Sequence, residues 1–299
     1  MQTKCIVVTG QTATGKTSYA LTLAKKINGV LINFDSRQIY KELSIITGKD
    51  IGQHDTFTPV EEFEGYTIGY YLVDGVQVWL YDIVHINQHF SAFIYAQLVE
   101  RILSHHLDNK TPIFVGGTYL YLKQLLFGTD FPVGPNLALR EKLEAKPVPY
   151  LQKYLMKIDL KVFESLNNSD QNNPHRLIRK IAIVSSGLSK HDKTPLVSPI
   201  IIIGFKHKTD ELLHSRIRDR VEERFKNGAI DEVKNCITIG HILSDPGMNA
   251  LGVKQVSSYI QNEINKDECI ENWTTEEVKY ARRQWAFMKQ NKTIQWRTV

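Results

Sequence analysis

Gly10-Gln11-Thr12-Ala13-Thr14-Gly15-Lys16-Thr17 constrains this chain more than any other stretch. It follows the apolar run Cys5-Ile6-Val7-Val8 and opens a helix-forming run from Ser18 to Lys26. Buried strand, glycine loop and helix thus stand in the order a P-loop demands. Gly10 and Gly15 permit a tight turn whose N–H groups point inward, and the next helix N-terminus completes a nest for phosphate oxygens. Lys16 brings a point charge to the outer phosphates, and the Thr17 hydroxyl sits where a Mg²⁺ ligand is needed. Thr12, Ala13 and Thr14 complete the loop around the same anion.

The rest of the chain alternates strand and helix signals. Val30 to Phe34 reads as a second buried strand ending in Asp35. Tyr66 to Val73 and Val76 to Asp82, joined by Asp74-Gly75, read as a β-hairpin insertion near 60–84. A helix is expected from about Ser91 to His106, and a strand from Pro112 runs into Gly116-Gly117-Thr118. After breaks at Pro132, Gly134 and Pro135, short helices with a partly basic surface fill the segment up to about Pro199. Pro199 to Phe205 returns as a strand, and helices are expected over the remainder, the last from about Thr274 to Gln290. This pattern gives an α/β chain with a doubly wound parallel sheet flanked by helices. Three segments are expected: 1–128 as the first part of the core, 129–198 as a helical insertion, and 199–299 completing the core.

Composition narrows the setting. The three cysteines, Cys5, Cys236 and Cys269, lie far apart with no CxxC pair, which suits a reducing cytoplasm. Met1 to Lys4 leads directly into the first strand without a signal-type apolar region, and no run of 18 apolar residues occurs. No membrane span is expected. The ten histidines show no metal-ligand spacing with the cysteines. The basic run Lys279, Arg282, Arg283, Lys289, Lys292 and Arg297 contains no acid; it reads either as a solvated helix face or as a surface for a polyanion.

In an open α/β sheet ligands bind at the carboxyl ends of strands, so the P-loop, Asp35 and Gly116-Gly117-Thr118 can share one crevice. Asp35 fits two roles: a base or hydrogen-bond acceptor for the reacting group, or a helix cap and holder of a magnesium-bound water. The strand before Gly116 ends without the acid that P-loop kinases use for Mg²⁺, and Asp82 is the candidate substitute. Arg216 and Arg220 lie one helical turn apart and either clamp a pyrophosphate or form a solvated face with Glu222 and Glu223.

These motifs, with Asn33-Phe34-Asp35-Ser36-Arg37-Gln38-Ile39-Tyr40 and Val115-Gly116-Gly117-Thr118-Tyr119-Leu120-Tyr121, resemble the tRNA dimethylallyltransferase (isopentenyltransferase) family. Weaker matches follow in order at Asn172 to Arg179, Arg216 to Val233, Ala250 to Gln255 and Tyr280 to Gln284. The resemblance implies transfer of a dimethylallyl group from dimethylallyl diphosphate to the exocyclic amine of the adenosine 3′ of a tRNA anticodon. It implies Asp35 as the acceptor from that amine, Thr118 near the bridging oxygen, and Arg220 with Lys16 and Thr17 on the pyrophosphate and Mg²⁺. Ser36, Arg37 and Gln38 would adjoin the incoming nucleotide, and Arg176, Arg282 and Arg283 would contact the anticodon stem-loop. A monomer is expected.

The sequence departs from the family pattern: the hairpin looks longer than the usual connection, Val253 stands at the tyrosine of a late Gly-Tyr pair, and two motifs differ. Trp79-Leu80-Tyr81-Asp82 stands where many bacterial members have His-His-Leu-x-Asp, and Thr47-Gly48-Lys49-Asp50 where they have Thr-Ala-Lys-Pro. Two other readings remain open: an adenylate isopentenyltransferase using free AMP, ADP or ATP, and a P-loop kinase or nucleotide-binding module.

Overall fold

The computed structural model describes residues 3–52, 55–128, 137–187 and 194–299. The chain divides into two compact units, one comprising Met1–Leu126 with Pro195–Val299, the other Phe127–Thr194. The breaks at Pro132, Gly134 and Pro135 lie outside the described residues.

The larger unit is built on β1 (Thr3–Gly10), β2 (Gly29–Asn33), β3 (Phe57–Phe63), β4 (Tyr66–Val73), β5 (Val76–Trp79), β6 (Thr111–Val115), β7 (Val197–Lys206) and β8 (Ile294–Thr298). They form one sheet in the order β3-β4-β5-β2-β6-β1-β7-β8. From β5 to β8 neighbours are parallel, as the apolar runs require, and β3 and β4 extend the sheet antiparallel. The hairpin is therefore no appendage: β5 pairs directly with β2, and the Asp74-Gly75 turn falls as expected.

Alternation along the strands builds a core on each face. Val7, Ile32, Phe114 and Ile202 point to one side, and Val8, Leu31, Ile113 and Ile203 to the other. Each such fully buried side chain contributes about 1.5–3 kcal/mol. The first face is covered by α2 (Ala92–His105), α3 (Tyr119–Phe127), α9 (Asp210–Lys226), α10 (Ala229–Thr238), α11 (Val253–Ile260) and α12 (Lys266–Met288); the second packs on α1 (Lys16–Ile27). Local chemistry sets the helix starts: Ser91 caps α2, and Asn265 with Glu268 forms a capping box on α12. That box starts the last helix eight residues before the expected Thr274. A strand, β8, follows it where only helix was expected, and places Arg297 on the sheet edge.

The smaller unit contains α4 (Leu137–Glu144), α5 (Val148–Ile158), α6 (Leu160–Glu164), α7 (Asn168–Gln171) and α8 (Pro174–Ser185). They close over their own core of Leu143, Leu151, Leu155, Leu166, Leu177, Ile178 and Ile181.

Candidate active site

The carboxyl ends of β1, β2, β6 and β7 open on one side of the sheet, and α9 and α12 stand across from them. They enclose a cavity of about 710 Å³ lined by the P-loop from Thr12 to Ser18, Asn33, Asp35, Arg37, Gln38, Asp50, Val115 to Gly117, Arg216, Arg220, Tyr280, Arg283 and Gln284. Gly10 itself faces away from this cavity and serves the fold. At φ 128° it lies against β7 so closely that a Cβ would come within 2.0 Å of the Phe205 carbonyl oxygen. Gly15, at φ 73°, caps α1 and brings its N-terminus to the cavity wall.

Positive charge is concentrated on the loop. Lys16 donates to the Gln11 carbonyl. Burial, and then the nearby Arg220 guanidinium, push its amine down to about 7, against the opposing pull of Asp35 and Asp50. Arg220 Nη1 donates to the Thr12 hydroxyl at 2.7 Å and so fixes α9 to the P-loop. One turn on, buried Arg224 is pushed down to about 10 by burial and then by Arg220, while its partner Glu277 accepts its Nη1 at 2.6 Å. Among the described residues the cavity is lined by the cations Lys16, Arg37, Arg216, Arg220, Arg224 and Arg283 and by the acids Asp35, Asp50, Asp219, Glu223 and Glu277, so its charge is mixed with a slight basic excess.

Asp35 sits opposite. Its Oδ1 accepts the Arg37 N–H at 2.9 Å, and its own N–H donates to Asn33 Oδ1 at 3.0 Å, so the turn after β2 is rigid. Among the described residues its second carboxylate oxygen takes no hydrogen bond and is free for a ligand. Thr118 accepts the Ser36 N–H at 3.0 Å and donates to the Ser36 hydroxyl at 3.2 Å, tying the Gly-Gly-Thr turn to the Asp35 loop. Tyr280 of α12 lies beside Thr118 and Gln284, and burial pushes its phenol above the usual range. Gln38 donates to the Gly48 carbonyl at 2.8 Å, so it braces the wall from inside.

Asp82, the candidate substitute for a magnesium-binding acid, does not line the cavity. It is buried, paired with Lys49, and accepts the Tyr71 phenol. Burial pushes the Lys49 amine down, with Asp82 as the main opposing influence. Both departures from the expected motifs therefore meet in one structural ion pair: Lys49 also donates to the Tyr40 carbonyl at 2.6 Å and anchors the loop that carries Asp50.

Residues 38–291 match the model of a family described as IPP transferase. The chain belongs to the IPP transferase family. A relative from Halothermothrix orenii named tRNA dimethylallyltransferase is 33% identical over 304 residues, covering 97% of this chain and 86% of its own. A solved tRNA isopentenylpyrophosphate transferase from Bacillus halodurans is 26% identical with a TM-score of 0.67, covering 100% of this chain and 90% of that one. A eukaryotic dimethylallyltransferase acting on tRNA shares the fold, with a TM-score of 0.76 at 22% identity, over 99% of this chain and 74% of that one.

With IPP transferase membership established, the positions of the expected site residues divide in three. Thr12, Ala13, Thr14, Gly15, Lys16, Thr17, Asp35, Arg37, Gln38, Arg220 and Arg283 line the cavity. Ser36 and Thr118 support its rim through each other. Arg282 turns away to an exposed pair with Asp210 at 2.8 Å, and Arg176, in the smaller unit, pairs with Asp170. Adjacent helix residues diverge by about 100°, and so Arg282 and Arg283 face different surroundings. Of the alternatives for the α9 arginines, Arg216 and Arg220 face the cavity, whereas Arg218 forms the solvated pairs with Glu222 and Glu271.

Sequence reasoning named Gln284 only as the end of the Tyr280 to Gln284 match and gave it no role. Its Oε1 accepts the Thr12 N–H at 2.9 Å, and its Nε2 donates to the Gly117 carbonyl at 3.1 Å, so one buried amide bridges two loops far apart in sequence. The tyrosine four residues before it on α12 gives the helical signal that could have placed it. Asp50 was noted only as a departure from the motif.

Proposed function

We propose that this chain transfers the dimethylallyl group of dimethylallyl diphosphate to the exocyclic amine of the adenosine 3′-adjacent to the anticodon of tRNA, releasing pyrophosphate. The observation that carries the reading is the meeting of the P-loop, Arg216, Arg220 and an open Asp35 carboxylate around one cavity. Family membership and the names of the relatives support it. The P-loop N–H groups, Lys16 and Arg220 bind the diphosphate and stabilise the charge that grows on it as the allylic C–O bond breaks. Asp35 accepts the hydrogen bond of the attacking amine and then its proton. Thr118 keeps the Gly-Gly-Thr turn against the Asp35 loop, near the bridging oxygen.

The cavity suits Mg²⁺. The Thr17 hydroxyl and the Asp35 and Asp50 carboxylates are hard oxygen donors lining it, and no cluster of three or more acidic, His or Cys groups forms a closed metal cage among the described residues. An ion held by one or two such donors takes its other ligands from water and substrate phosphates. When bound, it neutralises charge on the departing diphosphate.

Ser36, Arg37 and Gln38 adjoin the incoming adenosine, and Arg176, Arg282 and Arg283 supply phosphate contacts to the anticodon stem-loop. Three free, buried cysteines suit a reducing compartment, and no helix among the described residues is long and apolar enough to cross a membrane. The test is transfer from radiolabelled dimethylallyl diphosphate, with Mg²⁺, to unmodified tRNA and to AMP in parallel. Label in tRNA and not in AMP is expected; label in AMP alone would overturn the tRNA assignment.

A further inference from the structure

His207, immediately after β7, touches the P-loop from behind. Its Nε2 lies 3.0 Å from the Thr12 carbonyl oxygen, and its backbone N–H donates to Gln11 Oε1 at 2.9 Å. A carbonyl can only accept, so Nε2 carries the hydrogen and Nδ1 is bare. Nδ1 is buried with no partner among the described residues, so the Thr12 carbonyl is the one contact that sets the tautomer.

The peptide held in this way is strained on its far side. Ala13 adopts φ 59°, a left-handed conformation unfavourable for a residue with a Cβ. Flipping the Thr12–Ala13 peptide would relieve it, and would also turn the Thr12 carbonyl toward the anion nest, where it would repel a diphosphate. Neither of the other contacts to Thr12 opposes the flip: Gln284 holds its N–H at 2.9 Å and Arg220 its hydroxyl at 2.7 Å, and both groups precede the rotating bond.

We propose that His207 is a positioning residue that latches the Thr12–Ala13 peptide, keeping the carbonyl turned away and the P-loop in its anion-binding form. This rests on the reading that the loop takes a diphosphate, and extends it to a residue that touches no substrate. The latch stabilises a strained loop that exists for its ligand.

The test compares inorganic pyrophosphate binding by calorimetry for the wild type, His207→Gln and His207→Leu. Glutamine can offer an N–H near the Nε2 position, whereas leucine retains bulk without a donor. The leucine variant is expected to bind about tenfold more weakly and the glutamine variant within about threefold of wild type. The KM for dimethylallyl diphosphate should follow, with the KM for tRNA unchanged. Equal binding by all three proteins, or equal loss in both variants, would overturn the latch. Should His207→Leu fail to fold, the wild-type imidazole ¹⁵N spectrum decides: protonated Nε2 with bare Nδ1 supports the latch, and protonated Nδ1 contradicts it. Pyrophosphate binding by a wild type that transfers no label to tRNA would remove the functional reading and leave the latch standing.

Discussion

Two lysine–aspartate groups in this molecule look alike in sequence and differ in every physical respect. Asp35 follows β2 and Asp82 follows β5; Lys16 and Lys49 each lie in a glycine-bearing loop. Asp82 is closed: it is spent on Lys49 and the Tyr71 phenol, beneath the hairpin. Asp35 is open, with one oxygen given to the Arg37 N–H and the other directed to no protein donor among the described residues. A strand-end acid becomes available for chemistry when the fold leaves its lone pairs unspent. The same holds for the lysines, since Lys49 is matched to a carboxylate and Lys16 only to a loop carbonyl.

The largest expected effect breaks the closed group. Lys49→Met leaves Asp82 buried without its cation, and should destabilise the protein by about 3–5 kcal/mol in denaturant unfolding, while pyrophosphate affinity of the folded fraction stays unchanged. Lys16→Met should do the reverse, weakening pyrophosphate binding about 100-fold without lowering the unfolding temperature. A loss of stability in Lys16→Met comparable to that in Lys49→Met would erase the distinction.

The open group should also reveal itself by proton linkage. Burial holds the Lys16 amine down to about 7, and a bound diphosphate favours its ammonium form. At pH 8 the amine is mostly neutral beforehand, so binding of dimethylallyl diphosphate takes up about one proton; at pH 6 it is already charged and this uptake vanishes. Calorimetry in two buffers of different ionisation enthalpy measures it, and equal uptake at both pH values would contradict the assignment. The smallest effect belongs to the basic run of α12. Arg282→Ala removes one exposed ion pair, worth about 0–1 kcal/mol, and like Arg283→Ala should leave the KM for dimethylallyl diphosphate unchanged while raising the KM for tRNA severalfold.

Much of this was legible in the sequence because it rests on local rules. Strand, glycine loop and helix announced the P-loop, and Asp74-Gly75 announced the hairpin turn. What was illegible depends on distance or on weak local signals. The partners of Gln284 lie 272 and 167 residues away. Nothing in Leu80-Tyr81-Asp82 shows that a lysine 33 residues earlier consumes the acid. The strands β3 and β8 escaped notice because their signals are weak: Pro59, Glu61 and Glu62 keep an edge strand from pairing onward, and β8 is five residues long and lies past the expected helix end at Gln290, in a basic run.

The most direct measurement is single-turnover dimethylallyl transfer to tRNA by Asp35→Asn and Asp82→Asn, each with its unfolding midpoint in the same buffer. Asp35→Asn should lose about 10²–10⁴-fold in rate with its midpoint unchanged, and Asp82→Asn should keep its rate per folded molecule while its midpoint falls. An Asp35→Asn enzyme that transfers at the wild-type rate, or a folded Asp82→Asn enzyme that has lost the chemistry, would contradict the account.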